Sequence, residues 1–315
     1  MELPASFTVH RALVVCFAAC LALLTLLAQE NRGTPVRKTL VAHRGASAYA
    51  PENTLPAYRL AIKQGADFVE QDLQITRDGV LICLHDLSLE RTTDVEKLFP
   101  DRFRESERDG RKVREWLVSD FTVAEISRLD AGSWFGEAFK GTRIPTWEQS
   151  IGEIRGKAGL FVETKAPEVY GERGFDMESL VLDVLRGNKL DLPGADPKTP
   201  VLIQSFSSAS LQKLRQHGCR LPLALLVDQP DEWVTAEGLK RLAKFGQGLA
   251  PSKKLIASDP GLVIRAHKAG LTVTCWTFRL GTGMDATALT KEMKQYLTVY
   301  GVDGIITDNP DRFPR

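Results

Sequence analysis

Two stretches decide the reading of this chain: Val41-Ala42-His43-Arg44-Gly45, and FVEQDLQITRDGVLICLHD over residues 68–86. In the first, the apolar run Leu40-Val41-Ala42 stops at a histidine and an arginine. In the second, Phe68 to Ile75 reads as a strand, Thr76-Arg77-Asp78-Gly79 as a turn, and Val80 to Leu84 as another strand that stops at His85-Asp86. Polar residues at the ends of buried strands are the pattern of a sheet whose strand ends converge on one site. Asn53 or Thr54 is placed to cap a helix running to about Gln64, which Gly65 stops.

The rhythm continues outward. Further strands read as Leu160 to Glu163, Val201 to Gln204, Leu223 to Val227, Leu271 to Trp276 and Gly304 to Thr307, with a weaker one at Gly248 to Pro251. Helical patterns at Leu180 to Arg186, Ser208 to His217, Trp233 to Phe245 and Gly261 to Lys268 separate most of them. Strand–helix alternation argues for a parallel sheet. There is no glycine-rich dinucleotide fingerprint, and the polar candidates lie on several different strands. The expected fold is therefore α/β, a closed (β/α)8 TIM barrel spanning 38–315, with a loop insertion after the third strand. Nine candidate strands compete for eight positions. The insertion, 94–120, is charged and poor in apolar residues. It reads as a lid or specificity loop over the barrel mouth, or as a solvated excursion.

The 315 residues are 43% hydrophobic, enough for one large core, and 41 basic residues nearly cancel 40 acidic ones. That balance excludes a nucleic-acid binder relying on a strong overall basic field, and no pattern sets an oligomeric state. Ala12 to Ala28 is seventeen almost wholly apolar residues followed by Gln29-Glu30-Asn31-Arg32. Its length lies between a signal-peptide core and a membrane span, so residues 1–28 are expected to be a signal peptide or a retained anchor. The protein is then exported, periplasmic or secreted, with membrane association possible through residues 12–28. Of five cysteines, Cys16 and Cys20 fall in that segment. Cys83, Cys219 and Cys275 make no complete disulfide framework, and Cys83 and Cys275 read as buried thiols.

The strand ends supply chemistry. Glu70 and Asp72 are two apart on one strand, so their carboxylates share a face. Packed inside a barrel they need a cation, either a metal or the side chains of Arg44 or Lys165. Glu163, with Lys165 on the same face of another strand, offers a third oxygen ligand. His43 and His85 end neighbouring runs, and imidazole is the side chain whose pKa suits proton transfer near neutrality.

These residues lie in segments that resemble the glycerophosphodiester phosphodiesterase family: VAHRGASAYAPENT (41–54), FVEQDLQITRDGVLICLHDLSLERTTD (68–94), AGSWF (131–135), RIPTWEQ (143–149), FVETK (161–165), IQSF (203–206), TCWTF (274–278) and GVDGIITDNPD (301–311). Eight segments in order are a specific signature. The resemblance implies a TIM-barrel phosphodiesterase in which Glu70, Asp72 and Glu163 hold one Mg2+ or Ca2+ ion. It implies His43 and His85 as the general acid/base pair, and Arg44, Lys165 and Trp276 as substrate-binding residues. The implied substrate is a small glycerophosphodiester, cleaved to sn-glycerol 3-phosphate and an alcohol. A lysophospholipase D sharing the same residues is the alternative, and a non-catalytic phosphodiester-binding protein a remote one. One departure stands out: the family continues after Thr277 with a small apolar residue and asparagine, where this chain has Phe278-Arg279.

Overall fold

The structure is a computed structural model that describes residues 37–108, 110–281 and 283–315. The apolar segment 12–28, with Cys16, Cys20 and the expected leader, lies outside the described residues. No helix among those described is long and apolar enough to cross a membrane.

The strands run, in chain order, β1 (Thr39–Ala42), β2 (Phe68–Ile75), β3 (Leu81–Cys83), β4 (Arg104–Arg108), β5 (Arg111–Glu115), β6 (Gly159–Thr164), β7 (Val201–Ser205), β8 (Leu223–Val227), β9 (Gly248–Pro251), β10 (Thr272–Phe278) and β11 (Gly304–Thr307). Eight of them pair parallel in the cyclic order β1-β2-β6-β7-β8-β9-β10-β11, and the β1–β2 pairing, Val41 beside Phe68, closes the ring. This is a (β/α)8 barrel. The surplus ninth candidate is β3, which pairs antiparallel with the upper part of β2, Leu73 opposite Cys83. The weak candidate at Gly248 is a full barrel strand, flanked by β8 and β10. The insertion therefore follows the second barrel strand, although β3 is third in the chain.

Helices form where caps and apolar spacing coincide. In the helix Trp147–Ile154, Thr146 and Gln149 exchange side-chain and backbone bonds as a capping box, and Trp147, Ser150, Ile151 and Ile154 turn one face inward. Ser207 caps the helix Ser208–Gln216 in the simpler way, accepting from the Ser210 amide. Thr54 stands at the N-cap of the helix Leu55–Lys63 but spends its hydroxyl on the Pro51 carbonyl at 2.6 Å.

The large core packs the outer faces of the strands against these helices. Inside the barrel, Val41, Phe161 and Ile306 form a small apolar cluster. The register beside them is polar: Asp72 pairs with Glu163 across β2 and β6, and Glu163 with Gln204 across β6 and β7. Residues 94–120 are more ordered than their charge suggests. They hold a short helix, Val95–Leu98, and the β4–β5 hairpin. Val95, Trp116 and Val118 are buried with Ile82, Leu84, Phe121 and Ile126 in an apolar cluster of their own.

Candidate active site

The turn after β1 sets the first half of the site. The His43 amide donates to the Thr307 carbonyl at 2.9 Å, continuing the β1–β11 ladder by one residue. The chain then reverses through Arg44 at φ +55° and Gly45 at φ +85°. A methyl group on Gly45 would sit 2.7 Å from the Ala57 carbonyl carbon, so both the backbone conformation and the close approach require glycine here. The reversal aims the Arg44 amide at Glu70, 2.7 Å from Oε2. Asn53, also left-handed, donates from Nδ2 to Asp72 Oδ2 at 2.8 Å, and its own Oδ1 accepts from the Tyr58 hydroxyl. The Pro-Glu-Asn-Thr segment thus fixes a carboxylate as well as a loop.

Glu70, Asp72 and Glu163 present carboxylate oxygens within 4.8 Å of one another, all three residues buried. Two cations reach them. Lys165 Nζ lies 2.8 Å from Glu163 Oε1 and 3.3 Å from Asp72 Oδ1, and Arg44 Nε lies 3.2 Å from Asp72 Oδ2. Burial, reinforced by the charges of Asp72 and Glu163, pushes the Glu70 carboxyl well above the usual range. Burial also lifts Glu163 to about 8, against the pull of Lys165. Burial works the same way on Asp72, but Lys165 and Arg44 overcome it and hold that carboxyl well below its ordinary value. If all three buried acids ionise they outnumber the two cations, and Asp72 Oδ1 has no hydrogen bond beyond the 3.3 Å approach of Lys165 Nζ. An all-oxygen donor set that gathers three buried carboxylates within 4.8 Å fits a hard divalent ion, whose charge would favour the ionised form of each. The residues present can hold one.

Each histidine is held by a carboxylate. His43 Nδ1 is 2.6 Å from Asp308 Oδ1, and His85 Nδ1 is 2.6 Å from Asp86 Oδ1. Burial and the nearby Arg44 charge lower the pKa of His43, against the opposing pull of Asp308. Asp308 is in turn within 3.3 Å of Arg279 Nε. His43, Arg44, Glu70, His85, Glu163 and Lys165 all line a single cavity of about 130 Å3 at the C-terminal end of the barrel. In this fold that end is where active sites are built. Trp276 walls the same cavity, its Nε1 donating to the Ala250 carbonyl at 2.7 Å, with the Phe206 ring packed edge-to-face 5.6 Å away.

Residues 43–312 match the Glycerophosphoryl diester phosphodiesterase family. The chain belongs to this family. A glycerophosphodiester phosphodiesterase of Bacillus subtilis is 34% identical over 292 residues, covering 90% of this chain and 87% of the relative. Among solved structures, a phosphodiesterase of Oleispira antarctica in complex with the product sn-glycerol-3-phosphate superposes with a TM-score of 0.67 at 26% identity, covering 87% of this chain and 94% of that one. A glycerophosphodiester phosphodiesterase of Agrobacterium tumefaciens gives 0.63 at 27% identity, covering 88% and 99%. Family membership makes the chain an enzyme, a phosphoric diester hydrolase.

All eight residues singled out from the sequence meet in this part of the family fold. Seven line the cavity, and Asp72 lies beneath it, bonded to three of its neighbours. Among the described residues, none of 94–120 lines the cavity. Trp134 does not line it either; its Nε1 donates to the Ala131 carbonyl and its ring packs on Phe135. Cys83, Cys219 and Cys275 are free and buried. Sequence reasoning missed Asp308, Gln204 and Arg91. Asp308 and Gln204 sit inside quoted family segments, and each directly follows a run of buried strand residues, a signal of the same kind that singled out His43.

Proposed function

We propose that the enzyme hydrolyses glycerophosphodiesters to sn-glycerol 3-phosphate and a free alcohol, with His43 as general base and His85 as general acid. The observation that carries this reading is the pair of cavity-lining imidazoles, each held at Nδ1 by its own carboxylate, beside three buried acids and two cations. Donation of Nδ1–H to Asp308 leaves Nε2 of His43 as an acceptor, and its lowered pKa keeps it neutral near pH 7. It takes the proton of the attacking water as the new bond to phosphorus forms; if a neighbouring substrate hydroxyl attacks first, the cyclic phosphate so formed is opened by water in a second step, which breaks the ring P–O bond and gives sn-glycerol 3-phosphate. His85, oriented by Asp86, gives a proton to the departing alcohol oxygen as its bond to phosphorus breaks.

Arg44 and Lys165 balance the charge of the non-bridging phosphate oxygens, Arg44 as a planar fork and Lys165 as a point charge. Glu70, Asp72 and Glu163 would hold a divalent ion, Mg2+ or Ca2+, which supplies Lewis-acid neutralisation at the phosphoryl group. Trp276 gives the glycerol or alcohol carbons an apolar wall. The adjoining cavity has a mixed lining, with Glu163, Thr164, Glu168, Ser205 and Ser207 beside Ala166, Pro167 and Phe206. The complete acid/base and charge set argues for turnover rather than binding alone. The apolar run 12–28 supports export, where the enzyme would meet deacylated phospholipid fragments.

Leaving-group dependence tests the assignment. On glycerophosphocholine, His85→Ala and His43→Ala each lose about 10²–10⁴-fold in kcat. On the p-nitrophenyl diester of glycerol phosphate, whose leaving group needs no proton, His85→Ala recovers most of its loss and His43→Ala does not. The reverse pattern would exchange the two roles, and equal losses on both substrates would remove the acid/base reading.

A further inference from the structure

We propose that the cavity between β6 and β7, beside the catalytic pocket, is a subsite for a cationic alcohol moiety of the diester: a primary or quaternary ammonium group. This rests on the phosphodiesterase reading above and names the substrate class of the same site. The cavity measures about 220 Å3 and shares Glu163 and Phe206 with the catalytic pocket, so the two adjoin. Phe206 is 49% exposed at this boundary, so the face of its ring is open to a ligand. Its edge-to-face contact with Trp276 and the Lys165 ammonium 6.0 Å from its centroid place the ring in an environment already adapted to a cation. Lys165 is itself neutralised by Glu163 and Asp72.

The second element is Glu168, which lines the same cavity. Its Oε1 accepts from the Ser207 hydroxyl, and that hydroxyl also accepts from the Ser210 amide at 3.0 Å. The carboxylate is thus anchored to the start of the helix Ser208–Gln216 through one oxygen. Among the described residues Glu168 has no ion-pair partner. An anchored, unpaired carboxylate and an exposed aromatic ring lining one cavity are the pairing that holds ammonium groups, by charge and by the ring quadrupole. In an aminoalcohol ester two carbons separate the ester oxygen from the nitrogen. A phosphate held at Lys165 leaves the ammonium a short reach into a cavity whose wall begins at Glu163 and Phe206.

The test uses the full chain and two diesters, glycerophosphocholine and the uncharged-headgroup glycerophosphoglycerol, with wild type, Glu168→Gln and Phe206→Leu. The choline-to-glycerol ratio of kcat/KM falls about tenfold in each variant, mostly through KM, and tetramethylammonium inhibits both variants more weakly than wild type. Two substitutions of different chemistry guard against one variant failing to fold. An unchanged ratio, or wild-type preference for glycerophosphoglycerol, overturns the subsite. Wild type that cleaves neither diester overturns the phosphodiesterase reading itself, and the subsite with it.

Discussion

Arg91 clasps Glu52 with both terminal nitrogens, at 2.7 and 3.1 Å from its two oxygens, while its Nε donates to Asp86. Glu52 also accepts from Arg44 Nη1 at 2.9 Å, and Asp86 holds His85. One guanidinium therefore ties the loop that presents Arg44 to the carboxylate that orients His85. Its stability value is small because the Arg91 side chain is 44% exposed. Arg91→Met is expected to lower kcat about 10- to 100-fold, as loss of an outer orienting partner does, with little change in the melting temperature. Steady-state kinetics beside a thermal melt check this, and unimpaired turnover would show that the clasp is only structural.

The pH dependence follows from His43. Burial and Arg44 place its pKa below the ordinary 6.5, so the base is active above that pKa and lost as pH falls through it. The acid limb of kcat/KM should therefore have its midpoint below 6.5. The Asp308 charge raises the His43 pKa. Asp308→Asn removes that support, so the midpoint moves lower still while the rate falls about 10²–10⁴-fold through lost orientation. A pH–rate profile of both proteins measures the shift, and a midpoint that rises in the variant would contradict it.

Metal binding is checked without turnover. A divalent ion at about a hundred times its dissociation constant stabilises the fold by about 2.7 kcal/mol, which raises the melting temperature by roughly 5 °C in a domain of this size. Glu163→Gln removes one of three donors and most of that rise. Equal metal-induced shifts in the two proteins would place the ion elsewhere.

Gly45→Ala tests the turn that delivers Arg44 to Glu70. The substitution forces an alanine into φ +85° and its methyl group against the Ala57 backbone. We expect a loss of more than about 2 kcal/mol, seen as a melting temperature lower by about 3 °C or more.

Much of this was legible in the chain because strand ends carry unlike residues. Glu70 and Asp72 share a face by the strand's period of two, and their pairing with Glu163 follows once β2 and β6 are neighbours. What was not legible depends on tertiary placement. The run 80–84 looks like any other buried strand, and only its pairing with β2 reveals it as antiparallel. Gly248–Pro251 is short and rich in small residues, so it reads only as a weak strand, and its full place between β8 and β10 comes from tertiary pairing. Residues 94–120 looked solvated because charge dominates their composition, yet Val95, Trp116 and Val118 pack as a unit once Ile82 and Leu84 are beside them. Asp308 lies 265 residues from His43, a distance that only closure of the barrel through β1 and β11 removes.

The central claim is metal-dependent cleavage of a glycerophosphodiester by the His43–His85 pair. The most direct measurement incubates the full chain with glycerophosphocholine, with added Mg2+ or Ca2+ and with chelator, and identifies products by mass spectrometry. We predict sn-glycerol 3-phosphate and choline with at least one metal, and none with chelator or with His43→Ala. Turnover that persists in chelator, or that survives in His43→Ala, would contradict the account.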